Sequence, residues 1–216
     1  MDYEAARRNM VESQIRTNKV THPALLDALA SVPRERFLPP ERAPAAYVDR
    51  DIPLAPGRYL MEPMVFARLV QLGEPKPVDH ALVVGSGTGY GAAVLSTLVA
   101  SVMALESDPA LSGRGLELFA RLGVRGASQV TGPLVEGWAR GGPYGFVLIE
   151  GAVEVVPPAL LDQLADGGRL VTVVQEERVG RATLFTKRDN VVSHRPYFDA
   201  AVPVLPEFRR PRGFVF

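Results

Sequence analysis

The sequence contains no cysteine. That excludes a disulfide framework and any thiolate metal site, and it fits a reducing compartment. Histidine is nearly as scarce, with only His22, His80 and His194, far apart in the chain. No ligand spacing suits zinc, so no metal is expected. An excess of charge of one sign is also missing: 24 Lys and Arg balance 24 Asp and Glu. There is no global basic field of the kind that draws nucleic acid. No apolar run reaches membrane-spanning length. The opening Met1-Asp2-Tyr3-Glu4 has neither the basic nor the apolar region of a signal peptide. The expectation is a cytoplasmic protein with no nucleic-acid or membrane partner. Linkers, repeats and low-complexity tracts are absent too, so the 216 residues predict one domain over 1–216.

The most informative stretch that is present runs from Ala81 to Tyr90. Ala81-Leu82-Val83-Val84 leads straight into Gly85-Ser86-Gly87-Thr88-Gly89, and a helix with Ala, Val and Leu follows. A buried strand, a glycine-rich turn and a helix open a nucleotide-binding βαβ unit. Glycines allow the tight turn and let a ligand approach the main chain. A helix start offers free N–H groups. The next apolar run, Val102-Met103-Ala104-Leu105, ends in Glu106, 21 positions after Gly85. A carboxylate about 20 residues on is suited to accept hydrogen bonds from a ribose diol. Counted from the strand end the turn is G-x-G-x-G, the loop typical of S-adenosylmethionine methyltransferases. A frame starting at Gly87 gives G-x-G-x-x-A, so the pattern alone leaves a dinucleotide open. A hydride-transfer enzyme would also need a donor near the strand ends, and no such constellation is visible.

Around this unit the periodicity predicts an ordered series. Residues 2–17 read as an amphipathic helix with Tyr3, Ala6, Met10 and Ile15 on one side. Thr21 is placed to cap a second helix, with Pro23 just inside it and Leu25, Leu26, Leu29 and Val32 inward. Phe37 and Leu38 anchor a connector, and residues 47–54 continue extended. A helix follows over 63–72, ended by Gly73. Strands are expected at 81–84, 102–106, 128–131, 146–149 and 169–174. Helices are expected at 92–99, from Asp108-Pro109 to Leu122, and at 158–164. Residues 182–187 and 190–198 then read as a hairpin. The fold class is α/β: a Rossmann-like, mostly parallel sheet flanked by helices, closed by an antiparallel C-terminal hairpin. Residues 1–78 form a helical extension and substrate lip, 79–175 the core, and 176–216 the hairpin and tail. The tail segment Phe208-Arg209-Arg210-Pro211-Arg212 is locally basic and reads as a solvated terminus. Trp138, the one tryptophan, reads as core packing. Tyr90 is balanced between packing and covering a ligand.

Several segments in one order do more than suggest a class. They are Met10-Val11-Glu12-Ser13-Gln14-Ile15-Arg16, Val32-Pro33-Arg34-Glu35-Arg36-Phe37-Leu38-Pro39, Tyr47 with Asp49-Arg50, the glycine loop, and Gly167-Gly168-Arg169-Leu170-Val171. Together they resemble the protein-L-isoaspartate O-methyltransferase family over residues 9–175. The resemblance implies an enzyme that uses S-adenosylmethionine to methylate the α-carboxyl of isoaspartyl residues, in damaged proteins or peptides, for repair. It implies cofactor contacts at Gly85, Ser86, Gly87, Gly89, Tyr90, Glu106, Pro133 and Leu134, and an acceptor lip at Tyr59, Leu60 and Met61. This chain also departs from the family pattern. Tyr59-Leu60-Met61-Glu62-Pro63 stands where the family reads Thr-Ile-Ser-Gln-Pro, so Met61 replaces an acceptor-site serine and no catalytic residue is assigned. Val83 replaces an acid. Pro133 replaces an Asp that accepts from adenine, and Glu150-Gly151-Ala152 replaces Thr-Ala-Ala. A different acceptor, or a non-catalytic relative, are the alternative expectations.

Overall fold

The computed structural model describes residues 1–177 and 179–210. It opens with α1 (Tyr3–Met10), capped by Asp2, whose carboxylate accepts from the Ala5 N–H at 2.9 Å. The chain does not continue as the single helix expected over 2–17. It widens into a π-helical turn at Val11–Ile15 and tightens into a 3₁₀ turn at Arg16–Asn18. Met10, Val11 and Ile15 are all buried. A five-residue turn keeps Met10 and Ile15 on one side, which α-helical spacing would not. The cap of α2 (Pro23–Ser31) is His22 rather than Thr21, its ring nitrogen accepting from Leu25 N–H. Leu25, Leu26 and Leu29 are buried as expected. Phe37 and Leu38 anchor the connector after the 3₁₀ turn Arg34–Phe37.

The extended segment expected over 47–54 is shorter and later. Strand β1 (Ile52–Ala55) pairs antiparallel with β2 (Arg58–Leu60), and Gly57 turns between them at φ 72. A proline followed by a glycine of positive φ is the pattern of a tight turn. This hairpin is absent from the sequence-based expectation, and it carries Leu54 and Arg58. Next, α3 (Pro63–Gly73) ends with Glu74, not glycine, in the left-handed conformation at φ 47.

The alternating part follows as β3 (His80–Val84), α4 (Tyr90–Leu95), β4 (Ser101–Glu106), α5 (Pro109–Leu122), β5 (Ala127–Thr131), β6 (Tyr144–Val153), α6 (Pro158–Asp162) and β7 (Leu164–Glu176). Asp108 caps α5 as expected, accepting from Ala110 and Leu111. α4 starts and stops earlier than the 92–99 expected, and β6 runs four residues past Ile149. Last come β8 (Val179–Arg188) and β9 (Val191–Asp199), joined through Asp189 (φ 49) and Asn190 (φ 61).

The sheet order is β5-β4-β3-β6-β7-β8-β9. The first five strands pair in parallel, and β8 and β9 add antiparallel. Alternate residues serve the two faces. Val83, Leu148 and Val171 meet the layer carrying Met10, Leu25, Phe66, Val94 and Phe119. Leu82, Val84, Val147, Ile149 and Leu170 meet Leu134, Leu160, Leu205 and Phe208. This second face is covered by short helices and irregular chain, so its cover comes close to the strand ends. Among the described residues no helix is long and apolar enough to cross a membrane. In the basic tail, Phe208 is buried and the Arg210 N–H bonds Glu154, while Pro211 and Arg212 lie outside the described residues.

Candidate active site

The chain leaves β3 toward β4 and β5, then returns to place β6 on the other side of β3. That reversal is a topological switch point, where open α/β sheets bind ligands beyond the carboxyl ends of the strands. The glycine loop stands there. Gly85, Gly87 and Gly89 all have positive φ, at 72°, 54° and 92°. Much of the loop's polarity is used internally. Gly85 and Ser86 N–H groups donate to Leu105 O, Gly89 N–H to Ser86 O, and Ser86 Oγ accepts from Gln129. Thr88 Oγ1 donates to Phe37 O at 2.6 Å, tying the loop to the connector.

Glu106 ends β4 beside this loop and is 0 % exposed. Its carboxylate accepts from Gly87 N–H (2.8 Å), Ser107 N–H (2.8 Å), Asp108 N–H (3.0 Å) and Arg58 Nε (2.9 Å). The same Arg58 guanidinium donates to Ser107 Oγ at 2.8 Å and pairs with Glu207 from the C-terminal segment. Burial alone pulls Arg58 down, but Glu207 and Glu106 together hold it above its ordinary value. A charge at 5 % exposure between two carboxylates is an ion-pair network, expensive to break from one side.

Three apolar or cyclic side chains complete the cover. Leu205 lies between Gly85 and Gly151, so a Cβ added there would meet it at 3.1 and 2.5 Å. Leu54 lies over Gly87 in the same way at 2.7 Å, and Pro206 lies over Gly57 at 2.6 Å. Leu205 is 3 % exposed, and burial of a leucine contributes about 1.5–3 kcal/mol. Main-chain bonds hold the segment against the end of β6, from Ala152 N–H to Pro203 O and from Leu205 N–H to Ala152 O.

The expected acceptor lip is mostly interior. Leu60 and Met61 are buried, and only Tyr59 is half-exposed. Arg34, fully buried, donates to Ala46 O at 2.7 Å and to Met61 O at 2.5 Å. Its guanidinium lies 4.9 Å from the centre of the Tyr90 ring. Tyr90 is buried and packs between Phe37 and Phe66. Arg34 Nη1 and the Tyr90 hydroxyl have no hydrogen-bond partner among the described residues. Glu150, at the switch-point end of β6, abuts Gly91 at the start of α4. Burial pushes Glu150 up to about 8, against a nearby Arg34 that pulls it down. Burial, then Asp51 and Asp49, push Glu62 up to about 7. Of the remaining expected residues, Leu134 is buried against the cover, Pro133 is exposed, and Trp138 packs partly buried on the second face.

Comparison with known proteins agrees with this architecture. The model of the protein-L-isoaspartate(D-aspartate) O-methyltransferase family matches residues 5–204. The chain belongs to that family. It is 33 % identical over 203 residues to the protein-L-isoaspartate O-methyltransferase of Methanoculleus marisnigri, covering 94 % of this chain and 92 % of the relative. It is 38 % identical over 171 residues to that of Methylorubrum populi, with 79 % and 80 % covered. A solved protein-L-isoaspartate O-methyltransferase superposes with a TM-score of 0.79 at 23 % identity, over 92 % of this chain and 65 % of that one. A Plasmodium falciparum structure described as such an enzyme, in complex with S-adenosyl-L-homocysteine, gives 0.77 at 18 % identity, over 93 % and 98 %. These two likenesses concern the fold.

Family membership raises the question of fit. The three glycines and Glu106 stand at the ends of adjacent parallel strands, as a nucleoside site requires. In the conformation described, however, Glu106 Oε1 already accepts from Arg58, Ser107 and Asp108, Oε2 accepts from Gly87, and Leu205 and Leu54 lie over the glycines, so a bound cofactor has to displace Arg58 and Leu205. Arg58, Leu54, Leu205 and Glu207 were all missed from the sequence. The Pro56-Gly57 turn signalled the hairpin that carries Arg58. Nothing local signalled Glu207, which lies 149 residues from its partner.

Proposed function

We propose that this chain performs its family's reaction, transfer of the S-adenosylmethionine methyl group to the α-carboxyl of L-isoaspartyl residues in proteins. The observation that carries this reading is the family match over residues 5–204. The glycine loop with Glu106 at the switch point supports it. S-adenosylmethionine supplies the methyl group from a sulfonium. A carboxylate acceptor is already nucleophilic at neutral pH, so the chain's task is alignment rather than proton removal.

In this reading Gly85, Ser86, Gly87, Gly89 and Glu106 serve the cofactor, with Leu134 as a wall. The lip Tyr59-Leu60-Met61 faces the acceptor. Met61 offers no donor, and the buried Leu60 and Met61 act through the shape of the main chain that Arg34 holds. Glu62 and Glu150 would repel an acceptor carboxylate if ionised. Their raised values keep Glu150 largely neutral at pH 7 and Glu62 about half so.

The test is incubation with methyl-labelled S-adenosylmethionine and an isoaspartyl peptide, with its normal aspartyl twin as control. A base-labile methyl ester on the isoaspartyl peptide alone is expected. Ester on neither peptide at millimolar cofactor would overturn the reading and leave a non-catalytic member of the family.

A further inference from the structure

The cover over the switch point is made of the chain's own C-terminal segment and β1–β2 hairpin. Leu205 is inserted between the ends of β3 and β6, where ligands of such sheets lie. Arg58 occupies Glu106 from the hairpin side, and Glu207 clamps Arg58 from the C-terminal side. A carboxylate has about four lone-pair sites. Glu106 accepts four bonds here, three from main-chain N–H groups of adjoining turns. The donor that can leave without unfolding a turn is Arg58. A ribose hydroxyl and the Arg58 guanidinium therefore compete for Oε1, the oxygen that Arg58, Ser107 and Asp108 share, whereas Oε2 accepts from Gly87.

The segment's attachments are local. After β9 it returns to β6 through a single bridge, Ala152 to Val204, with further main-chain bonds at Ala152 and Glu154. Glu207 keeps 32 % of its side chain exposed, unlike Arg58 and Glu106. Leu205 and Phe208 of the segment are buried in the second-face core, so opening the clamp exposes both side chains.

We propose that residues 203–208, clamped through Glu207 and Arg58, are an intramolecular latch that competes with S-adenosylmethionine for the cleft. The cofactor enters only when Leu205 withdraws from between Gly85 and Gly151 and Arg58 releases Glu106. The inference rests on the methyltransferase reading above. It adds that apparent cofactor affinity is lowered by the fraction of molecules that are closed. A latch closed in 99 of 100 molecules weakens the apparent Kd about a hundredfold.

The experiment is calorimetric titration of S-adenosylmethionine into the full-length protein and its Glu207→Ala and Leu205→Ser variants, each checked for fold by circular dichroism. Amide exchange with and without cofactor, and ester formation on the isoaspartyl peptide, accompany it. Glu207→Ala removes only the exposed end of the clamp, so it remains informative if Leu205→Ser folds poorly. We expect Kd to fall at least tenfold in Glu207→Ala, and cofactor to speed exchange at the Leu205 and Phe208 amides of the wild type. Equal affinity in wild type and variants, with the exchange at those amides unchanged, overturns the latch alone; ester formation would then still stand for the methyltransferase reading. Absence of binding by every folded variant, with no ester formed, overturns both.

Discussion

At Gly89 the main chain sits at φ 92, and an added Cβ would meet the Phe119 ring at 2.6 Å. Two independent costs fall on one position. The left-handed backbone disfavours any side chain with a Cβ, and the ring is part of the core. Gly89→Ala should therefore lose roughly 2–4 kcal/mol of stability, read from urea unfolding. A loss under about 0.5 kcal/mol would mean that the loop relaxes freely. Gly113 is a useful control, because a Cβ there meets nothing within 4 Å and its φ is helical. Gly113→Ala should gain roughly 0.5–1 kcal/mol. The sequence distinguishes these glycines only by neighbourhood: one follows a strand, the other interrupts an amphipathic helix. Glu106 was likewise legible as the acid at the end of the second strand. Its partner was not, because Arg58 is 48 residues away and nothing near it in sequence marks it as buried.

Helix ends show the same division at the scale of elements. Asp108-Pro109 announces the start of α5, since a short acceptor before a proline satisfies the first free N–H groups. The end of α3 is less transparent. Gly73 closes the helix inside it, packed against Phe146 and Val171, and Glu74 takes the left-handed position. Gly73 is needed for close packing, since a Cβ there would meet the Phe146 ring at 2.3 Å. Glu74→Gly should stabilise the protein by about 0.5–1 kcal/mol, because relief of the left-handed strain exceeds the added freedom of the unfolded chain. The thermal midpoint would rise by roughly 1–4 °C, and no rise would show that Glu74 is not strained. The β8–β9 turn was visible in Arg188-Asp189-Asn190, since both turn residues tolerate positive φ. The β1–β2 hairpin was missed because its strands are four and three residues long, too short for alternation to show.

Across the whole molecule, formal charge is balanced, yet two carboxyl groups on the lip side of the sheet have raised values, Glu150 through burial and Glu62 through burial with Asp51 and Asp49. A carboxyl raised in the folded state binds its proton more tightly there than in the unfolded chain. Stability from Glu150 is thus fully present below about pH 4.5 and is lost as pH rises toward about 8. Over that window one group contributes a slope of up to about 1.4 kcal/mol per pH unit. Glu62, raised to about 7 and partly exposed, acts in the same direction more weakly. Urea unfolding between pH 5 and pH 8 should show the decline, and Glu150→Gln should flatten it. An identical slope in that variant would mean that Glu150 is already ionised in the fold.

By itself the sequence determined the parallel βαβ series, the family, and the carboxylate beside a glycine loop. The series and the carboxylate depend on residues within about 20 positions of one another, where strand period, helix caps and turn chemistry act, and the family on short segments that follow in one order over residues 9–175. Only the tertiary structure decided what lies over that loop. Leu205 and Glu207 reach it from the far end of the chain, and Leu54 and Arg58 from a short hairpin before the sheet. Their meeting is set by how the second face of the sheet is covered and by charge pairing out of water. Neither leaves a periodic trace in the chain.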